Sequence, residues 1–268
     1  MALFGLSNDS VQVLSDFTTD FGITYNLLSD EGSATIQRLG LLNHHIVEQQ
    51  AYYGFGEHKR YDGLPYPGSI VLDADGIVRK RLFDQSYRER PSPGVLLRAA
   101  SGHAPAPDPE RSATVETPVV KVGAWFEAST FRPMERVELT VTLHIADGWH
   151  VYVGPIADGL TALDVKLGPE ERLRQSPAQI PPGHPFSVAG LEGTSNVVDG
   201  NVEITVPVLL QGAGFLADGS KRSEPQEPGP MNVKVEISFQ ACSATECRPP
   251  ESHVFRFTME EEGQFFPG

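Results

Sequence analysis

Cysteine is nearly missing from this chain: 268 residues contain two, and none precedes position 242. Thiol chemistry, a disulfide scaffold and a cysteine-based zinc site are therefore excluded from the first 241 residues. No apolar run approaches the roughly 18–20 residues needed to cross a bilayer as a helix. Basic charge is scarce as well, with 21 Lys and Arg against 35 Asp and Glu, and the resulting formal charge of -14 opposes nucleic acid and anionic membrane surfaces as partners. There is no glycine-rich phosphate loop, and isolated residues give no Ser–His–acid order. His44 and His45, with His58, lack a carboxylate or cysteine at ligand spacing and read as solvated loop histidines. The N-terminus also lacks a signal-peptide pattern, because Ala2 to Leu6 is too short for an apolar core and no basic residue precedes it. Read literally, the chain stays in the cytoplasm where it is made.

What is present is proline and glycine, 22 and 26 residues, with 40% hydrophobic content, enough for ordinary cores in a chain of two-domain length. The two halves differ. Residues 1–97 read as mixed α and β: a strand at Ala2–Leu6, then Asn8, Asp9 and Ser10 as N-cap candidates for a helix burying Val11, Leu14, Phe17 and Phe21. A second helix around Ser33–Leu39 stops at Gly40, a suitable C′ residue. The segment from Leu64 to Val78 reads as strand, turn at Asp75-Gly76, strand. Residues 98–117 include Ser101-Gly102-His103-Ala104-Pro105-Ala106-Pro107-Asp108-Pro109, which has no periodic apolar face and reads as a semi-stiff linker.

Residues 118–262 read as all β. Val137, Leu139, Val141, Leu143 and Ile145 alternate with polar residues, as do Val202, Ile204, Val206 and Val208. Further strands are expected at Val119–Phe126, His150–Val153 and Leu163–Leu167. Six to eight such strands with turn signals between them predict an antiparallel sandwich.

The cysteines fall at the end of this half. Val233, Val235, Ile237 and Phe239 alternate with Lys234, Glu236, Ser238 and Gln240, and a returning strand carries Phe255, Phe257 and Met259. If Ser243 to Glu246 form a four-residue loop, Cys242 and Cys247 become its closing cross-strand pair, with Cα atoms roughly 4.5–5.5 Å apart, inside the range a disulfide needs. A bond at a hairpin tip is open to a partner's thiolate, which points to exchange chemistry. Pro249 and Pro250 limit sheet pairing beside Cys247. Two other readings stand beside this one: a structural staple in a noncatalytic binding module, and a zinc site, for which His253 is the one further ligand nearby in sequence.

The C-terminal half resembles the N-terminal periplasmic domain of the thiol:disulfide interchange protein DsbD. The residues that carry the likeness are Gly148-Trp149-His150-Val151-Tyr152, the segment around Phe186, Asp199-Gly200-Asn201-Val202 leading into Thr205-Val206-Pro207-Val208, and above all Gln240-Ala241-Cys242 with Cys247-Arg248-Pro249-Pro250. The resemblance implies an immunoglobulin-like fold in the periplasm, Cys247 as nucleophile and Cys242 as resolving thiol. It also implies a phenylalanine cap at Phe186 over the pair, with Tyr152 beside the cysteines. Where the family has a companion tyrosine this chain has His150, and where it has acidic residues before the cap it has His184 and Pro185. The implied partner is a thioredoxin-like protein or a dithiol electron donor, and no metal or organic cofactor is implied.

The N-terminal half resembles the later part of a peroxiredoxin-like redoxin domain of the AhpC/TSA kind, from Phe4-Gly5-Leu6-Ser7-Asn8-Asp9-Ser10 to Pro65-Tyr66-Pro67-Gly68-Ser69-Ile70. Pro67 falls at the family's cis-proline, so the resemblance implies a cis bond there. In that family the strands and helix bearing the reactive cysteine precede the segment equivalent to Ala2–Ser7, where Met1 stands here. The half therefore reads as a partial thioredoxin-like domain, either a relic spacer or a fragment of a longer redoxin peroxidase fusion.

Overall fold

The computed structural model describes residues 2–52, 62–83, 89–187, 194–216, 218, 220–224 and 227–263. The chain divides into two compact units, Met1–Ser69 with Leu82–Arg88, and Ile70–Arg81 with Glu89–Gly268. In the first, β1 (Phe4–Ser7) runs parallel to β2 (Asn26–Ser29), with α1 (Val11–Asp20) joining them. Ser10 is the N-cap that the sequence offers: its Oγ accepts from Val13 N at 3.4 Å. After β2 come α2 (Ala34–Arg38) and α3 (Ile46–Tyr52). Asp30 accepts from the backbone N–H groups of Thr35 and Ile36 at 2.9 and 2.8 Å, and this satisfies donors at the start of α2.

Only part of the apolar face expected of α1 is covered. Leu14 is 8% exposed, whereas Val11, Phe17 and Phe21 are 72, 44 and 41% exposed. Two parallel strands present too little surface to bury a whole helix face, and the rings of Phe17 and Phe21 pack on each other at 4.6 Å. The expected cis bond at Pro67 is also corrected. Among the described residues the cis peptide is Gly154-Pro155, and the bond before Pro67 is trans. Leu42 and Pro65 form an antiparallel bridge, with Tyr66 N donating to Leu41 O at 2.7 Å. The segment is thus extended, and the trans isomer is the one favoured by about 0.5–1 kcal/mol in X-Pro bonds. The hairpin of β3 (Gly68–Leu72) and β4 (Val78–Phe83) turns where Asp75-Gly76 predicts. Gly76 takes a φ of +78°, a conformation open to glycine at little cost, and Asp73 Oδ1 accepts from the N–H groups of Asp75 and Ile77.

The second unit continues through β5 (Arg90–Pro91), α4 (Pro93–Ser101), β6 (Ser112–Glu116), β7 (Val120–Phe126), β8 (Thr130–Phe131), β9 (Glu135–Ile145), β10 (Trp149–Val153) and β11 (Asp164–Leu167). It closes with β12 (Leu173–Gln175), β13 (His184–Phe186), β14 (Ser195–Val198), β15 (Asn201–Leu210), β16 (Met231–Phe239), β17 (Ala241–Ser243) and β18 (Glu251–Glu261). One sheet has the order β12-β15-β9-β7-β6, a second β11-β16-β18-β8, and a third β13-β14-β10-β17. The alternation in β9, β15 and β16 has the expected cause: Val137, Leu139, Val141 and Leu143 join Ile204, Val206, Val233, Val235, Ile237 and Phe239 in one buried cluster. This is the antiparallel sandwich that the alternation predicts, with the immunoglobulin-like fold that the resemblance implies.

Residues 98–117, read above as a linker, hold the last turns of α4 and all of β6. The sandwich also extends further toward the N-terminus, because β5 pairs with the start of β9. Arg98 reaches Glu138, Glu203 and Thr140 at 2.7, 2.6 and 2.6 Å, which explains why Thr140, on the polar side of β9, is buried. Glu127 receives the hydroxyl of Ser92, the N-cap of α4, and burial raises its pKa to about 7.

Candidate redox site

The cysteine hairpin begins as the sequence suggests and then departs from it. β16 pairs with β18 from Met231↔Met259 to Phe239↔Glu251. Beyond Phe239 the chain leaves that sheet, and β17 pairs instead with β10 in the third sheet. Gln240 sits at the crossing. Alternation places it among exposed polar residues, yet it is buried: its Oε1 accepts from Thr161 N at 3.0 Å and its Nε2 donates to Arg248 O at 3.1 Å. One amide side chain thus ties the far side of the cysteine loop to the strand that enters it.

Cys242 and Cys247 are joined as a disulfide across the loop, with Cα atoms 4.1 Å apart. The backbone pairs on either side explain the closeness. Arg248 N donates to Ala241 O and Ser243 N donates to Glu246 O, which leaves the cysteines as the non-hydrogen-bonded pair, the tighter of the two antiparallel spacings. Ser243 Oγ accepts from the N–H groups of Thr245 and Glu246, each at 3.2 Å, and holds the turn. The two cysteines have unlike surroundings: Cys242 is 0% exposed, while Cys247 is exposed.

Four of the residues that the resemblance singles out meet in the third sheet. Cys242 and Tyr152 are fully buried with Val197, and Phe186 packs against this group together with Ile156 and Leu160. The sheet order brings them together: β13 supplies Phe186, β14 Val197, β10 His150 and Tyr152, and β17 Cys242. The His150 ring lies 4.2 Å from that of Phe186 and 5.3 Å from that of Tyr152, measured between centroids. Its Nε2 is 3.5 Å from Tyr152 Oη. Burial first, and then the nearby His184, hold the His150 imidazole below its ordinary pKa, with Asp199 opposing. Burial also pushes the Tyr152 phenol above its usual range.

His184 sits apart from the buried group, exposed on β13, where its Nε2 meets Asp199 Oδ2 at 2.9 Å. That hydrogen bond raises its pKa. Pro249 is exposed two residues beyond Cys247. Pro67 belongs to the other unit. Val197 is a member of the site that residue-type reasoning passes over, because a buried valine carries no chemical signature in sequence, while Asp199 and Gln240 enter only through the segments that carry the resemblance. Among the described residues no group of three His, Cys, Asp or Glu side chains is arranged to hold a metal, and His58 lies outside those residues. No helix among the described residues is long and apolar enough to cross a membrane.

Residues 116–259 match the family described as thiol:disulfide interchange protein DsbD, N-terminal, and residues 1–81 match the AhpC/TSA family. Both matches place the chain in a thiol–disulfide redox context. Among solved structures, the N-terminal periplasmic domain of ScsB from Proteus mirabilis is similar at 14% identity and a TM-score of 0.36. That likeness covers 56% of this chain and 51% of the other, so the chain spans about half the length of the structure it matches. No curated protein matches the sequence. With a cysteine pair closing a hairpin loop and the family match extending over more than half of the residues, the chain belongs to the DsbD N-terminal family.

Proposed function

We propose that the protein is a thiol:disulfide oxidoreductase that passes two electrons to or from a thioredoxin-like partner through Cys242 and Cys247. The observation that carries this reading is the asymmetry of the pair, with one cysteine exposed on the loop and the other sealed among Tyr152, Val197 and Phe186. In the reduced pair, the Cys247 thiolate attacks the partner's disulfide and forms a mixed disulfide. Cys242 then attacks Cys247 and releases the partner reduced. Phe186 shields the buried sulfur from small oxidants and yields when a partner docks, a gating role for an apolar cover. The exposed His184 and Pro249 form the surroundings that the partner meets, while the buried Tyr152 and His150 line the enclosure of Cys242. Residues 1–81 contain no cysteine and take no part in the exchange themselves; we assign that half a spacing role.

The reading is tested by the reduction potential of the pair, measured by equilibration against glutathione. A disulfide that exchanges has a potential above about -300 mV, whereas structural disulfides typically lie below it. A value under that threshold makes the bond a staple and the domain a binding module.

A further inference from the structure

His150 stands directly opposite Cys242 in the β10–β17 register. Facing residues of an antiparallel pair project to the same side of the sheet, with Cβ atoms about 4.5–5.5 Å apart. The histidine is 7% exposed and is enclosed by Phe186 and Tyr152, the side chains that also pack against the buried sulfur. Tyr152 is the titratable group on its own strand. His184 on β13 and Asp199 after β14 are the charged groups acting on it from neighbouring elements, and β17 adds only Ala241, Cys242 and Ser243. Burial and the charge of His184 keep the imidazole neutral near pH 7, in the form that accepts a proton.

Such an acceptor answers a specific need of the site. An apolar enclosure disfavours a free thiolate, and the Cys242 sulfur, fully buried in the disulfide form, lies in such an enclosure. Cys247, being exposed, has no such obstacle. We propose that His150 is the proton acceptor for the resolving thiol of Cys242, an inference that rests on the exchange reading above. With a partner held on Cys247, the Cys242 proton passes to the imidazole and the Cys242 thiolate attacks Cys247 Sγ. The Cys242–Cys247 bond forms and the bond from Cys247 to the partner's sulfur breaks. The partner leaves as a thiolate and takes the proton from the imidazolium. The dithiol of this chain is thereby oxidised by two electrons and the partner's disulfide reduced.

The test uses the whole chain, reduced, with Ellman's reagent as the disulfide. Attack by Cys247 releases a first thionitrobenzoate, and closure by Cys242 releases a second. In the unsubstituted protein the second release slows as pH falls through the His150 pKa, which burial holds below the ordinary imidazole value. His150→Gln slows that second release by roughly 10²-fold near pH 7, the lower end of what a positioned base contributes, far more than the first, and abolishes the inflection. His184→Gln, an exposed change, removes a positive neighbour and moves the inflection to higher pH; Asp199→Asn moves it lower. A second release with no inflection, or one unmoved by both His150→Gln and His184→Gln, overturns the assignment and leaves exchange intact. Absence of any second release from the unsubstituted protein instead defeats the exchange reading itself. Should His150→Gln fail to fold, the two surface variants still decide the matter.

Discussion

Reduced protein carrying Cys242→Ser should accumulate a stable mixed disulfide with an oxidised thioredoxin-fold protein, and Cys247→Ser should form none. The expected difference is large because the two cysteines are so unequally placed. Cys247 is exposed on the loop, while Cys242 is fully buried with Tyr152 and Val197. Thiol–disulfide exchange requires the attacking sulfur to reach its target in line, so access alone separates the two positions. Serine at position 242 leaves the first attack intact and removes the group that clears it. The trapped complex should therefore outlast that of the unsubstituted protein by at least roughly 10²-fold, as judged by nonreducing electrophoresis after alkylation. Trapping by Cys247→Ser alone would reverse the assignment of roles. Trapping by neither would leave the bond with only a structural task.

Phe239→Ala should cost the sandwich about 3–5 kcal/mol, the range for emptying a large buried side chain. Phe239 is fully buried at the end of β16 and belongs to the main apolar cluster, immediately before the chain crosses to the third sheet. Its removal leaves a cavity where both sheets and the crossing must be supported. The measurement is clean because both tryptophans of the chain, Trp125 on β7 and Trp149 on β10, report on this unit. With a urea slope of about 2 kcal/mol/M, the fluorescence midpoint should fall by roughly 2 M with the slope unchanged. A shift under about 0.5 M would show that the core around Phe239 closes over the gap.

The sandwich was legible where one face of a strand is buried and the other is not. Val137 to Ile145 and Val233 to Phe239 alternate because their partners lie on one side only, and pairing Cys242 with Cys247 follows from loop length. Period two does not report which sheet a strand joins. The crossing at Gln240, which seats Cys242 against β10, is therefore invisible without the hydrogen bonds to Thr161 and Arg248 that fix it. The stretch 98–117 reads as linker for a related reason. Its attachment rests on the pairing of Ser112–Glu116 with β7 and on Arg98 reaching across to Glu138 and Glu203, and long-range contacts leave no local pattern. In the N-terminal unit the apolar spacing of α1 correctly marks a helix but overstates its burial, since Val11, Phe17 and Phe21 have only a two-stranded sheet beneath them. The placement of His150 against Phe186 and Cys242 was foreshadowed only by the family resemblance, because three strands from distant parts of the chain must assemble first.

The proposed function requires that the Cys242–Cys247 bond change hands. Mixing the reduced protein with an oxidised thioredoxin-fold protein, quenching in acid after increasing times, alkylating and weighing both chains answers that directly. The prediction is a matched transfer: two alkylated thiols lost from this chain for each two gained by the partner, abolished by Cys247→Ser. Unchanged thiol counts on both proteins after prolonged mixing would contradict it.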